Sequence, residues 1–211
     1  MAKSRAGNGR NYVHAASEWP VVPLSDREVS PEIIAHCRAG DRDAIRVLYD
    51  TYKDRVYSVA LYFFHGDESV AADVTQQVFL KLITSIGQFK GDAAFSTWLY
   101  RLVVNCCMDH QRRKRRLIPL VDDLLSVFST HNESVLHELL RGEEEKQVQQ
   151  VVGRLSPEHR MVVVLRYTEG LSYEDIAEVL GVSRGTVASR LNRAHKILER
   201  RLSHLRKVSS K

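Results

Sequence analysis

Apolar residues recur along this chain every three or four positions, with no sustained period-two alternation, and that spacing predicts helices throughout. The first signal is Ser30-Pro31-Glu32, a capping serine followed by proline at the first helical position. Asp41 is placed to cap a longer helix with Ile45, Leu48, Tyr49, Tyr52, Val56, Val59, Ala60 and Phe63 on one face. His65-Gly66-Asp67 breaks that helix and starts a third, whose stripe is Val70, Val74, Val78, Leu82 and Ile86. After a break at Phe89-Lys90-Gly91-Asp92, a fourth carries Phe95, Trp98, Leu99, Leu102, Val103 and Cys106, and is expected to end in the basic run Arg112 to Arg116. Phe95 and Trp98 lie on this stripe and read as core.

The charge sign then reverses. Residues 121–145 hold Asp122, Asp123, Glu133, Glu138, Glu143, Glu144 and Glu145, with Arg141 as the lone basic residue, and polar residues interrupt the stretch. A linker that turns helical near its end is the expectation. Helical signals resume near Glu143 and run to about Leu205, with a second cap-plus-proline start at Ser156-Pro157-Glu158 and a glycine stop at Gly170. The expected fold class is all-α, two small helical domains joined by an acidic flexible linker. Residues 1–28 read as a flexible extension, 29–117 as the first domain, 118–142 as the linker, 143–205 as the second domain and 206–211 as a basic tail. Within the extension, Trp19-Pro20-Val21-Val22-Pro23 is an apolar island read as part of a loosely packed tail.

The segment Leu171–Leu191 carries the densest local signals. Ser172 can cap a short helix, with Asp175 completing a capping box, and Ile176, Ala177 and Leu180 form its apolar stripe. Gly181 ends it, where a left-handed backbone angle costs little. Ser183 can cap a second helix that buries Val187, Leu191, Ala194 and Leu198 and presents Arg184, Thr186, Ser189, Arg190 and Arg193 on the opposite face. One buried face and one of guanidinium and hydroxyl groups predict a helix-turn-helix suited to the DNA major groove.

Composition narrows the classes. A formal charge of +5 favours a polyanionic partner. No apolar run is long enough to cross a bilayer, and the basic N-terminus lacks the apolar stretch of a secretory signal, so no membrane insertion is expected. Cys37, Cys106 and Cys107 match neither a disulfide framework nor a zinc pattern, which points to the reducing cytoplasm, with Cys106 read as a small core residue. The histidines show no metal-ligand spacing, and there is no glycine-rich phosphate loop or nucleophile elbow. No enzyme, metal or cofactor is expected.

Two further surfaces stand out. Arg101, Asn105, Asp109 and Arg112 recur as one polar face of the fourth helix, and the basic run from Arg112 and Arg113 can hold phosphates. Aromatics beside a basic face suit unstacked single-stranded bases. On the third helix, Asp73, Gln76, Gln77 and Lys81 make a polar face beside Phe79, which lies off the core stripe and is expected to be partly exposed as a protein-docking anchor.

From roughly Glu32 to Leu205 the chain resembles the extracytoplasmic-function (ECF) group of bacterial sigma-70 family factors. Asp73-x-x-Gln76-x-x-Phe79-Leu80-Lys81 looks like region 2.2, which docks on the β′ clamp helices of core RNA polymerase, although Gln77 stands where the group usually has an acidic residue. Phe89-Lys90-Gly91, Phe95 to Arg101 and Asn105-x-x-x-Asp109-x-x-Arg112-Arg113 look like regions 2.3 and 2.4, with Cys106 and Cys107 replacing the usual small or aliphatic residues. The resemblance implies that the loop from Lys90 through Gly91 and Asp92 to Ala93, with the Asn105 face, takes the unpaired strand of the minus-ten promoter element. Leu155 to Ala194 looks like region 4, implying that Ser183, Arg184, Thr186, Ser189, Arg190 and Arg193 read minus-thirty-five duplex DNA. The implied partners are core RNA polymerase through the β′ clamp helices and β flap, promoter DNA and an anti-sigma factor. The competing expectations are a stand-alone helix-turn-helix regulator and an RNA-binding or sequestered adaptor.

Overall fold

The computed structural model describes residues 28–125 and 151–209, leaving aside the side chains of 115–125 and 203–209. Four helices come first: α1 (Pro31–Arg38), α2 (Arg42–Phe63), α3 (Glu68–Ser85) and α4 (Phe95–Leu125), with a 3-10 turn at Ile86–Gln88 between the last two. A helical turn at 151–153 precedes α5 (Pro157–Tyr167), α6 (Tyr173–Leu180) and α7 (Arg184–Ser209). No strand occurs among the described residues.

Short polar side chains start these helices by accepting backbone N–H groups that the first turn leaves unpaired. Asp41 accepts from Asp43 and Ala44 at the head of α2, Asp67 from Val70 at α3, and Ser156 from His159 at α5. Ser30 does the same for α1, with Pro31 in the first turn. Burial of the stripes then assembles the helices, each large apolar side chain contributing roughly 1.5–3 kcal/mol. Leu48, Tyr52, Val56, Val59 and Phe63 of α2 meet Val74, Val78 and Leu82 of α3 and Phe95, Leu99, Val103 and Cys106 of α4.

The buried cluster continues without a break into the second half, where α4 packs on α6 and α2 on α5. Polar groups stitch the same boundary. Arg160, only 3% exposed, donates to the carbonyls of Phe63 (2.9 Å), Gly153 (2.6 Å) and Leu155 (2.9 Å). The Tyr100 hydroxyl donates to the buried Glu169 carboxylate.

Four details differ from what the sequence predicts. Helix α4 does not stop in its basic run or at residue 117 but continues to Leu125, running through Pro119, which itself lacks the N–H that would bond back one turn. Tyr49 is exposed rather than a member of the α2 core stripe. Ile176 and Val179 are the buried pair of α6, with Ala177 and Leu180 half-buried beside them. Glu28, set at the end of the extension, is bound to α4. The island Trp19–Pro23 and linker residues 126–142 lie outside the described residues.

Candidate nucleic-acid interfaces

The helix-turn-helix is built by local chemistry. Ser172 accepts the Asp175 N–H at 3.0 Å while the Asp175 carboxylate accepts the Ser172 N–H at 3.2 Å, the reciprocal capping box. Gly181 then turns the chain at φ 63°. Ser183 caps α7 through the Thr186 N–H at 3.1 Å. Val187, Leu191 and Ala194 are buried, which fixes the rotation of α7 and leaves Arg184, Ser189 and Arg193 exposed and Thr186 and Arg190 half-buried. The hydroxyls are engaged locally: Thr186 lies 2.9 Å from Ser183, and Ser189 donates to the Thr186 carbonyl. Arg184 pairs with Glu174 of α6 at 2.9 Å, both side chains well exposed. The long guanidinium arms are therefore what this face extends toward solvent, and Arg is the side chain that reads guanine bidentately.

The second surface starts at the loop before α4. Lys90, Gly91 and Asp92 are exposed, and Gly91 holds φ 83° with nothing within 4 Å of where a Cβ would stand. Glycine is needed there for the backbone angle and not for space. The loop's base is closed by three rings: Phe89 and Phe95 at 5.4 Å, Phe89 and Trp98 at 5.5 Å, Phe95 and Trp98 at 5.6 Å. Phe95 is buried as expected of core, while Trp98 is only half-buried. Along α4, Asn105, Arg112 and Arg113 are exposed, and Asp109 sits between Arg112 (3.5 Å) and Lys81 of α3 (3.9 Å). Arg101 departs from this set. Its Nε and Nη2 donate to the Glu178 carbonyl of α6 at 3.2 and 3.0 Å, so it belongs to the contact between the two halves.

On α3, Asp73 and Gln76 are exposed and Gln77 and Lys81 half-buried. Phe79 contradicts its predicted exposure: it is 6% exposed, with its ring edge-on to Tyr49 at 4.7 Å. Helix α3 is covered on two sides, by α2 and α4, so its buried arc is wider than the predicted stripe and takes in Thr75 and Phe79. Among the described residues the large exposed apolar side chains are instead Leu80 at 59% and Ile83 at 43% on α3, with Val47, Tyr49 and Tyr62 on α2. Leu80 and Ile83, spaced i and i+3 outside the stripe, were visible in the sequence as that signal.

All three cysteines are buried, and burial raises their thiol pKa values, which favours the unreactive protonated form. Among the described residues no cluster of His, Cys, Asp or Glu is arranged to hold a metal ion, and no helix is long and apolar enough to cross a membrane.

Comparison with known proteins matches residues 48–117 to the family described as Sigma-70 region 2 and residues 145–198 to that described as Sigma-70, region 4. The chain is 34% identical to the RNA polymerase sigma-H factor of Pseudomonas aeruginosa over 85% of this chain and 96% of that protein. It is 32% identical to the ECF RNA polymerase sigma factor SigW of Bacillus subtilis, over 82% of this chain and 96% of that one. Among solved structures it is similar to CnrH in complex with the cytosolic domain of CnrY, with a TM-score of 0.62 and 25% identity over 85% of this chain and 98% of that one. The sigma factor RpoE solved with the anti-sigma factor NepR from Bartonella quintana shares the fold, with a TM-score of 0.59 and 22% identity over 75% of this chain and 96% of that one.

Proposed function

The chain belongs to the ECF group of the bacterial sigma-70 family, and from that premise we propose that it is a promoter-specificity subunit of RNA polymerase. Docked on the core enzyme, it reads minus-thirty-five duplex DNA with α7 and takes the unpaired minus-ten strand on the loop before α4. The observation that carries this reading is the pairing of two unlike surfaces on one chain. One is a rigid helix-turn-helix with Arg184, Arg190 and Arg193 on its outer face. The other is a glycine-turned loop on an aromatic base, followed by exposed Asn105, Arg112 and Arg113.

Each surface does one physical task. Guanidinium forks select base edges in an intact major groove, and Ser183 and Thr186 hold the helix start that positions them. Strand capture offsets the few kcal/mol needed to unstack each base by giving it new partners, amide and guanidinium groups beside a phosphate-binding run. Docking on the β′ clamp helices falls to Asp73, Gln76, Gln77 and Lys81 with exposed Leu80 and Ile83, while buried Phe79 supports that face from beneath. Polymerase supplies the phosphoryl chemistry, so no covalent step is asked of this chain, and its place of work is the cytoplasm. An anti-sigma factor that withholds it from polymerase belongs to the same reading, and the complex of CnrH with the cytosolic domain of CnrY supports a protein partner.

Runoff transcription with purified core polymerase on a randomised promoter library tests the proposal. Initiation at templates sharing two separated elements, dependent on this chain, is the expected result. No specific initiation, together with tight duplex binding by the chain alone, would instead identify the stand-alone regulator.

A further inference from the structure

Helix α4 carries the strand-capture face, yet its own start lacks a cap. The residue whose carbonyl accepts the first intrahelical bond is Ala94, bonded to the Trp98 N–H at 3.2 Å, and alanine has no side-chain acceptor. Two of the unpaired donors of the first turn are met from elsewhere. The Phe95 and Ser96 N–H groups donate to the two carboxylate oxygens of Glu28, each at 2.9 Å, across 67 and 68 residues of sequence. A carboxylate here also faces the positive end of the helix dipole. Glu28 lies before α1 and outside the residues matched to Sigma-70 region 2.

The same end of the molecule is braced a second way. Arg38, the last residue of α1, donates to the Ile86 carbonyl at 3.4 Å and lies over the Phe89 ring at 5.8 Å. The loop from Lys90 to Ala94 therefore leaves from a residue held by Arg38 and arrives at one held by Glu28.

We infer that Glu28 is a positioning residue for strand capture: it caps α4 from outside the helix and so fixes the end of the loop that receives the unpaired minus-ten strand. This rests on the proposed function, because only a capture loop makes its anchoring matter to promoter opening. Both carboxylate oxygens are engaged by the α4 backbone, so the role is to position the loop. With it gone, the first turn of α4 frays, and the loop must be ordered at the moment a base enters.

The test uses holoenzyme reconstituted from core polymerase and the full chain, on a promoter selected by the wild-type protein. Permanganate reactivity of unpaired thymines reports opening. Glu28→Ala is expected to lower the extent of opening about five-fold and the unfolding midpoint of the free chain by about 2–4 °C, as loss of one helix cap does, while leaving affinity for core polymerase near wild type. A second variant supplies the missing cap within the helix itself: in Glu28→Ala/Ala94→Asp, opening should return to within about two-fold of wild type. Full opening by Glu28→Ala overturns the inference. So does a loss of opening matched by an equal loss of core affinity, or one that Ala94→Asp leaves unrescued. If wild-type holoenzyme itself opens no promoter, the functional reading fails instead.

Discussion

His65 turns the chain between α2 and α3 at φ 62°, an uncommon angle for a residue with a Cβ. Its ring lies against the second half of the molecule, where a Cβ added to Gly153 would stand 2.7 Å from Nδ1. Although the residue as a whole stays exposed, partial desolvation of its ring against the second half pushes its pKa down to about 4, with the Arg160 guanidinium and Lys114 ammonium acting in the same direction and Asp67 opposing them. An unfolded histidine titrates near 6.5, so between about 4 and about 6.5 the unfolded chain binds more protons than the folded one. Stability from this group is full above that window and falls as pH drops through it. Thermal unfolding midpoints should therefore fall more between pH 7 and pH 5 for wild type than for His65→Asn, since asparagine tolerates the left-handed angle and does not titrate. Equal falls would remove His65 from the linkage. The break at His65-Gly66-Asp67 was legible because glycine and a capping aspartate are local signals. The ring's partner was not, because Gly153 is brought to it only by tertiary packing.

At the scale of elements, the helix starts were the most legible feature, for a cap and the N–H it accepts lie within three residues of each other. Ser30, Asp41, Asp67, Ser156, Ser172 and Ser183 all act where the sequence places them. The cap of α4 was hidden for the converse reason, its acceptor standing 67 residues away. Which face of α3 meets solvent was only half legible. A stripe drawn at helical spacing assumes one packing partner, and α3 has two, so Phe79 is covered while Leu80 and Ile83 are not. Replacing Leu80 with Asp is accordingly expected to weaken core-polymerase binding about ten-fold with little change in unfolding temperature. Fluorescence anisotropy of labelled factor titrated with core enzyme measures this, and unchanged affinity would move the docking face elsewhere.

At the scale of the whole molecule, the one property the sequence does not contain is the continuous core joining both halves, with Arg101 held to Glu178 and Arg160 to Phe63. Periodicity shows that a face is buried and is silent about what buries it. The arrangement has a mechanical consequence. Promoter elements about 25 base pairs apart are separated by about 85 Å of duplex, whereas a compact chain of this length is only about 45 Å across. The halves must part before both elements are read, and the 25 residues between the end of α4 at Leu125 and the turn at 151–153 are long enough to reach about 80 Å. Fluorophores at Gln88→Cys and Lys196→Cys should therefore show high transfer in the free chain and a marked loss on adding core polymerase and promoter. Unchanged transfer in a transcribing complex would exclude that parting. The central claim is a division of labour between α7 and α4, and it is tested most directly by following Arg190→Ala and Asn105→Ala holoenzymes on one selected promoter, duplex and pre-melted at the minus-ten element. Arg190→Ala is predicted to weaken initial binding to the duplex by about 1–3 kcal/mol, and Asn105→Ala to bind it normally but fail to open it. Loss of the same step in both variants would contradict the account.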